Sequence, residues 1–409
     1  MVTKRSIAVA GSIALVAGGV TVAGAGSASA DTVDYGPSRV IGGPRSLTDH
    51  AQGLAIAPDG TTYFGSAGDD SVSVFGPRAD GNVLPLRIWF AGGHHAETTI
   101  DVATDAMGNM YTLTNVEGDA SWVLVYRPRY TPTTPMRRVW PRRPTTSLKV
   151  SARGATVGAT PTSIDVFAPG ATEVGPVRVL SGPRTGLAAG GVRDVAMDGR
   201  GWIWAATADA VLGFAPSANG DVAPAARIAG SRTGLSSPRH IGVDAANRLY
   251  VTDATRRSIS AFAPTANGNV RPLRVLRGKQ ASINPREAAV ALNGRIVTTR
   301  GSRAIQVFST MFPKRPSAVR SVRVTGKTRA AKRKVRWAKP ADNGGGAVQS
   351  YKLVFRKGSK IVKSVTLKPG RRSYTVKKSA LRRGKLTVTV RAKNISGWSP
   401  KVVKRFRVR

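Results

Sequence analysis

From residue 31 onward, apolar and polar positions alternate in short runs. The stretch HIGVDAANRLYVTD holds two of them, His240 to Val243 and Arg248 to Thr252, separated by Asp-Ala-Ala-Asn. SISAFAP from Ser258 supplies a third run and RPLRVLRG from Arg271 a fourth. A period of two, punctuated by Gly, Asn and Pro, predicts strands. No later run carries helical periodicity, so no helix is expected beyond residue 30.

The four-run unit recurs. The phrase AFAPTANGNVRPLRVLRG at Ala261 is echoed by GFAPSANGDVAPAARIAG at Gly213 and VFGPRADGNVLPLRIWFAG at Val74. Aligning on the aromatic residue gives Phe75, Tyr126, Phe167, Phe214, Phe262 and Phe308, at intervals of 51, 41, 47, 48 and 46. Repeats of this length made of four short strands predict propeller blades. Units begin near Gly53, Thr99, Ser147, Val192, Pro238 and Pro285, which makes six. The sixth stops at Phe308 without its fourth strand. GPSRVIGG, Gly36 to Gly43, matches RPLRVLRG at Pro37, Arg39, Val40, Ile41 and Gly43. The N-terminal strand 36–43 is therefore expected to complete the last blade, which removes exposed strand edges. Asp80-Gly81-Asn82 and Ala218-Asn219-Gly220 read as hairpin turns.

The run Pro238-Arg239-His240-Ile241-Gly242-Val243-Asp244, then Arg248-Leu249-Tyr250-Val251, resembles the NHL repeat. The resemblance covers about residues 35 to 310 and is weakest in the third unit. It implies a propeller fold, whose members include scaffolds, ligand binders and some enzymes.

After Pro313 the pattern changes. Val335-Arg336-Trp337, Pro340-Ala341-Asp342-Asn343-Gly344-Gly345, Tyr351, Leu381, and Val388-x-Val390-x-Ala392-x-Asn394 with Gly397 resemble a fibronectin type III domain. That resemblance implies a β-sandwich with Trp337 and Tyr351 between its sheets. Leu386 stands where the family's corner tyrosine is expected, so packing should hold that corner. The expected chain is thus all-β, a six-bladed β-propeller plus a C-terminal fibronectin type III β-sandwich. Its segments are a signal peptide at 1–30, the propeller at 31–312, a linker at 313–315 and the basic domain at 316–409.

Charge sharpens this division. The 409 residues include 63 Lys and Arg against 22 Asp and Glu. From Pro313 onward there are 31 basic residues and one acid, Asp342. Such asymmetry points to a polyanionic partner. The expected contact residues are Lys332, Arg333, Lys334, Arg356, Lys357, Arg371, Arg372, Lys377, Lys378, Arg382 and Arg383. Lys4-Arg5, an apolar run from Ile7 and Ala28-Ser29-Ala30 form a secretory signal with an A-x-A cleavage site. No second apolar stretch has membrane-spanning length. The chain has no Cys, which excludes disulfides and thiol chemistry. A monomer, secreted or associated with the cell surface, is expected.

One column of the repeat is polar. Four positions before the turn residue Asp244 stands His240, and the alignment gives Ala55, Asp101, Lys149, Asp194, His240 and Glu287. Two positions on, the column is small: Ala57, Ala103, Ser151, Ala196, Gly242 and Ala289. Asp101, Asp194, His240 and Glu287 are thereby candidate ligand-binding residues at one end of a central channel. No cofactor is expected. The alternative is calcium or another hard divalent ion on these oxygen donors. A ring of hydrogen-bonded structural groups explains the same residues without a ligand. His50, His94 and His95 fall in loops, where the last two could assist a metal site.

No nucleophile elbow, zinc-protease helix or Walker loop is present. The predicted function is an exported binding or scaffold protein. Its propeller would recognise a ligand or protein partner, and its basic module would dock on an anionic cell-wall polymer or acidic polysaccharide. Base-specific nucleic-acid readout is not expected, for want of a stacking platform. A propeller hydrolase or lyase acting on a glycan or lactone is the enzymatic alternative. A structural cell-surface protein is the third.

Overall fold

The structure, a computed structural model, describes residues 31–409 apart from 47, 49–50, 67–70, 91–97, 117–119, 128–136, 140–144, 172–174, 285 and 302. The expected signal peptide at 1–30 and the residues His50, His94 and His95 lie outside the described residues.

The chain is all-β with a propeller-like arrangement of small sheets. Among the described residues, strands between 31 and 308 form six sheets; four are antiparallel and built from consecutive strands, and the fifth and sixth each also take in one N-terminal strand. Their first strands are Ala51–Ile56, Thr98–Thr104, Ser147–Val150, Asp194–Met197, Pro238–Val243 and Ala288–Val290. Each packs against the first strand of the next sheet, and Ala288–Val290 packs back on Ala51–Ile56, so the six form a closed ring. The repeat explains the layering. Phe75, Tyr126, Phe167, Phe214, Phe262 and Phe308 each end the third strand of their sheet. All six are buried. Such burial is worth about 1.5–3 kcal/mol for each side chain.

An N-terminal strand joins the sixth sheet. Arg39–Gly42 pairs antiparallel with Ala304–Phe308, Arg39 opposite Val307 and Gly42 opposite Ala304. Arg39 then reaches into the next unit, donating to the carbonyls of Gly60, Gly76 and Ala79. One short α-helix, Leu187–Gly190, appears where none was expected. Gly186 at φ 69° turns the chain into it and buried Leu187 anchors it.

The Asn-Gly phrase lies in the connection between the antiparallel third and fourth strands, but its hydrogen bonds reach a distant strand as well as closing that connection. Gly81 donates to the carbonyl of Val40, Gly220 to Val179 and Gly268 to Arg227, each about 40 residues upstream. Asp80, Asn219 and Asn267 accept the backbone N–H of those same three residues. The glycines adopt φ of 73–76°, so left-handed backbone is required at the crossing. The phrase therefore clasps the outer strand of the preceding sheet. At the ring closure the N-terminus provides the clasp too: Asp31–Val33 lies parallel to Arg274–Leu276, and Asp34 accepts from the N–H of Ala281.

Residues 316–409 form two sheets around a separate core. One contains Arg320–Thr325, Lys332–Ala338 and Ser373–Lys377; the other Ser350–Lys357, Lys360–Leu367, Gly384–Asn394, Gly397–Trp398 and Val402–Val408. Trp337 and Tyr351 are buried between them with ring centroids 5.5 Å apart. Leu386 is buried in the same core. Alternation along Gly384–Asn394 sends Leu386, Val388, Val390 and Ala392 inward.

Candidate functional site

The closing hydrogen bond of each inner hairpin fixes the register of the ring. It runs from Ala57 to Thr61, Asp105 to Asn109, Ser151 to Ala155, Asp198 to Trp202, Asp244 to Arg248 and Ala291 to Arg295. Four positions earlier stand Gly53, Asp101, Ser147, Asp194, His240 and Glu287. The expected places of Ala55 and Lys149 in this column are thus corrected by two residues. Both units open their turn with a small residue, Ala57 or Ser151, where the others with a polar column residue mostly carry Asp. Lys149 instead belongs to the next level, with Ala55, Ala103, Ala196, Gly242 and Ala289. It is the one long side chain in a column otherwise of Ala and Gly.

Asp101, Asp194, His240 and Glu287 come together at one mouth of the channel, around Lys149. The Lys149 ammonium lies 3.0 Å from Asp101 Oδ2 and 2.9 Å from Asp194 Oδ1. Asp101 Oδ2 also accepts from the N–H of Leu148 at 2.9 Å. Asp194 Oδ1 accepts from Ser147 Oγ at 2.6 Å, and its Oδ2 from the N–H of Ile241 at 2.9 Å. Each aspartate thus ties its own sheet to the inner strand of a neighbour. His240 Nε2 donates to the carbonyl of Arg286 at 2.5 Å. Its Nδ1 faces Asp194 Oδ2 at 3.6 Å and Glu287 Oε2 at 3.8 Å, too far for hydrogen bonds but close enough for charge coupling.

Burial and charge set the protonation of this cluster. Burial pushes Asp101 above the usual carboxylate range, and Lys149 offsets only part of that. For Asp194 burial acts in the same direction, but Lys149 and the His240 contact outweigh it and hold the carboxyl below its ordinary range. Burial would lower Lys149, yet the two aspartates raise it, so it stays an ammonium. Burial would likewise lower His240, but the Glu287 charge and the Asp194 contact raise it. Glu287 is pushed up to about 7 by burial, against the pull of His240 and with the push of Asp101 and Asp194. Among the described residues the Glu287 carboxylate has no hydrogen-bond partner.

The mouth opens as a polar funnel of about 670 Å³, to which Gln52, Arg193, Ser237 and Arg239 also contribute. On the other side of Lys149 the channel narrows to about 80 Å³, lined mainly by Ala, Val, Ile and Leu. The Lys149 ammonium occupies the place between carboxylates that a cation would take. Among the described residues no three His, Cys, Asp or Glu side chains are grouped to hold a metal ion. Gln52, Ser147, Lys149, Arg193 and Arg239 were not among the expected ligand-binding residues. Lys149 could have been found as the break in the small-residue column.

The predicted polyanion contacts divide. Lys332, Lys357, Arg371, Arg372, Lys377, Arg382 and Arg383 are exposed, and Lys334, Arg356 and Lys378 half-exposed. Arg333 is a correction: it is buried, and its guanidinium donates to the carbonyls of Gly326, Lys327 and Arg407. It holds the end of the sandwich and is unavailable to a partner.

No protein-family model and no curated protein matches the chain. Among solved structures, it resembles the extracellular domain of a protein described as a hybrid two-component system from B. thetaiotaomicron, at 13% identity and TM-score 0.38. That match covers 88% of this chain and 55% of the other. A second, the extracellular domain of a protein described as a one-component system from the same organism, gives 11% identity and TM-score 0.40, covering 88% and 56%. Virginiamycin B lyase from Staphylococcus aureus gives 10% identity and TM-score 0.40, covering 72% of this chain and 94% of the lyase. The chain thus spans little more than half of the first two. Among the described residues no helix is long and apolar enough to cross a membrane.

Proposed function

We propose that the chain is an exported binding protein. Its residues 31–312 form a six-bladed, NHL-type β-propeller for recognition. They join through 313–315 to a basic fibronectin type III domain, 316–409, that docks on an anionic cell-wall polymer or acidic polysaccharide. One observation carries the reading: the basic charge of the C-terminal domain is not neutralised within it. Cations face each other across strands at Arg323 and Arg336, Lys332 and Lys377, Lys352 and Arg391, and Lys385 and Arg407. Like charges placed opposite one another destabilise a sheet. The sole acid, Asp342, accepts from the N–H of Gly344 and pairs with no cation. A polyanion would relieve this repulsion, and the association would weaken steeply with salt.

The test compares the full chain with a variant carrying Lys332→Glu, Lys377→Glu, Arg382→Glu and Arg383→Glu. Retention on an immobilised polyanion should fall at least tenfold in the variant, and in the parent as salt rises from about 0.05 to 0.5 M. Retention unchanged by either treatment would refute docking.

A second reading has support at one residue. Glu287, raised to about 7 beside His240 in an open polar funnel, suits a general acid or base. This would make the propeller a hydrolase or lyase acting on a glycan or lactone.

A further inference from the structure

Trp398 stands apart from every other aromatic residue of the C-terminal domain. Trp337, Tyr351 and Phe355 are buried in the sandwich core, and Tyr374 and Phe406 pack against it. Trp398 is half-exposed and outside that core. Its short strand pairs with the end of Gly384–Asn394, which puts it opposite Lys393. Three cations lie over the indole ring: Lys393 Nζ at 5.8 Å from the ring centroid, Lys352 Nζ at 6.0 Å and Arg391 Cζ at 6.0 Å. Arg391 is fixed there, because its Nε donates to the carbonyl of Ser399 at 2.8 Å. Lys352 and Arg391 lie directly opposite each other on adjacent strands. Further along this face Arg405 adds another exposed cation, opposite Thr387.

We infer that this sheet face is a binding site for an acidic polysaccharide, with Trp398 stacking on a sugar ring and Lys352, Arg391 and Lys393 pairing with its carboxylates. The inference rests on the docking function proposed above and names the polymer class and the residues. A flat, electron-rich indole accepts the slightly positive C–H face of a pyranose. Charge alone would serve any polyanion; an aromatic among the cations adds a requirement for a ring. Nucleic acid fits less well, since single-strand readers stack successive bases on several aromatic side chains and this face offers one.

The experiment uses the full chain, with binding to polygalacturonate, inorganic polyphosphate and oligothymidylate measured calorimetrically at about 0.15 M salt. Trp398→Ala should weaken polygalacturonate about five- to tenfold and leave polyphosphate within about twofold. Trp398→Phe should fall between. Lys352→Gln with Lys393→Gln should weaken both polymers. Should Trp398→Ala melt early, the Trp398→Phe and double-charge variants decide alone. Equal losses on polygalacturonate and polyphosphate, or none on either, overturn the sugar-stacking site while leaving polyanion docking intact. Tighter binding of oligothymidylate, lost in Trp398→Phe, overturns it in favour of a base. If the unmodified chain binds no polyanion at all, the docking function itself fails.

Discussion

Replacing Lys149 by Met tests whether the polar ring is held by its central ammonium. The side chain is nearly isosteric, so packing changes little, while the contacts at 3.0 and 2.9 Å to Asp101 and Asp194 vanish. Both carboxylates stay buried, with side chains only 10% and 2% exposed. Removing one partner from a buried ion group costs about 3–5 kcal/mol, because the remaining charges are left uncompensated. At about 2–4 °C per kcal/mol for a domain of this size, the thermal midpoint should fall by roughly 6–20 °C at pH 7. The pH dependence is the sharper test. Without the ammonium, Asp101, already above its ordinary range, loses its main offset, and Asp194 loses the largest interaction holding it down. The destabilisation from Asp101 is then relieved as pH falls through its raised value. In the parent, depressed Asp194 acts oppositely, contributing stability that is lost only in strong acid. Calorimetric melting at pH 5 and pH 7 should show a deficit that shrinks at pH 5. A deficit below about 1 kcal/mol at pH 7, or one equal at the two pH values, would refute the argument.

Glu287→Gln addresses the other half of the ring. Glu287 titrates at about 7 in the folded chain and its ordinary value is 4.5, so its protonated form favours the folded state. That stability is full below 4.5 and is lost as pH rises through 7, by at most about 3 kcal/mol. Raised His240 loses stability in the same direction. The variant should flatten denaturant-derived stability between pH 5 and 8; an unchanged slope would count against Glu287 as its source. Gly182→Ala tests the clasp, because Asp221, next to Gly220, accepts the N–H of Arg184 just past Gly182, and a Cβ at Gly182 would lie 2.4 Å from Asp221 Cγ, on backbone at φ 118°. It should cost about 1–3 kcal/mol. Gly191→Ala, with positive φ but open space, is the control and should cost less; equal losses in urea titrations would mean that backbone strain, not the clasp, is being measured.

The repeat was legible because each unit places an aromatic at the same buried strand end, a requirement that cannot drift without exposing the core. Pro37, Arg39, Val40 and Ile41 made the closing strand visible for the same reason. The clasp was not, since Asn-Gly satisfies a local turn and a distant crossing equally well, and the partner lies some 40 residues away. Lys149 was displaced by two positions because Ser151 replaces Asp at its turn, in the most divergent unit. The burial of Arg333 was readable and missed: it shares parity with Val335 and Trp337 on Lys332–Ala338, whose inward positions are buried. A cation in that series needs carbonyls to receive it, and Gly326, Lys327 and Arg407 do.

Lys149 also decides how the ring of sheets could be used. Ala and Gly at the other five positions of its level would leave a passage along the ring axis. One lysine, fixed between two aspartates, divides it into a hollow of about 80 Å³ and a funnel of about 670 Å³. A ligand large enough to engage His240 and Glu287 must therefore enter and leave by the polar mouth. Those two residues are also the members of the ring not tied to Lys149, so they can change protonation without breaking the contacts between sheets. Asp101, Lys149 and Asp194 link neighbouring sheets, while His240, Glu287, Arg193 and Arg239 line the polar funnel.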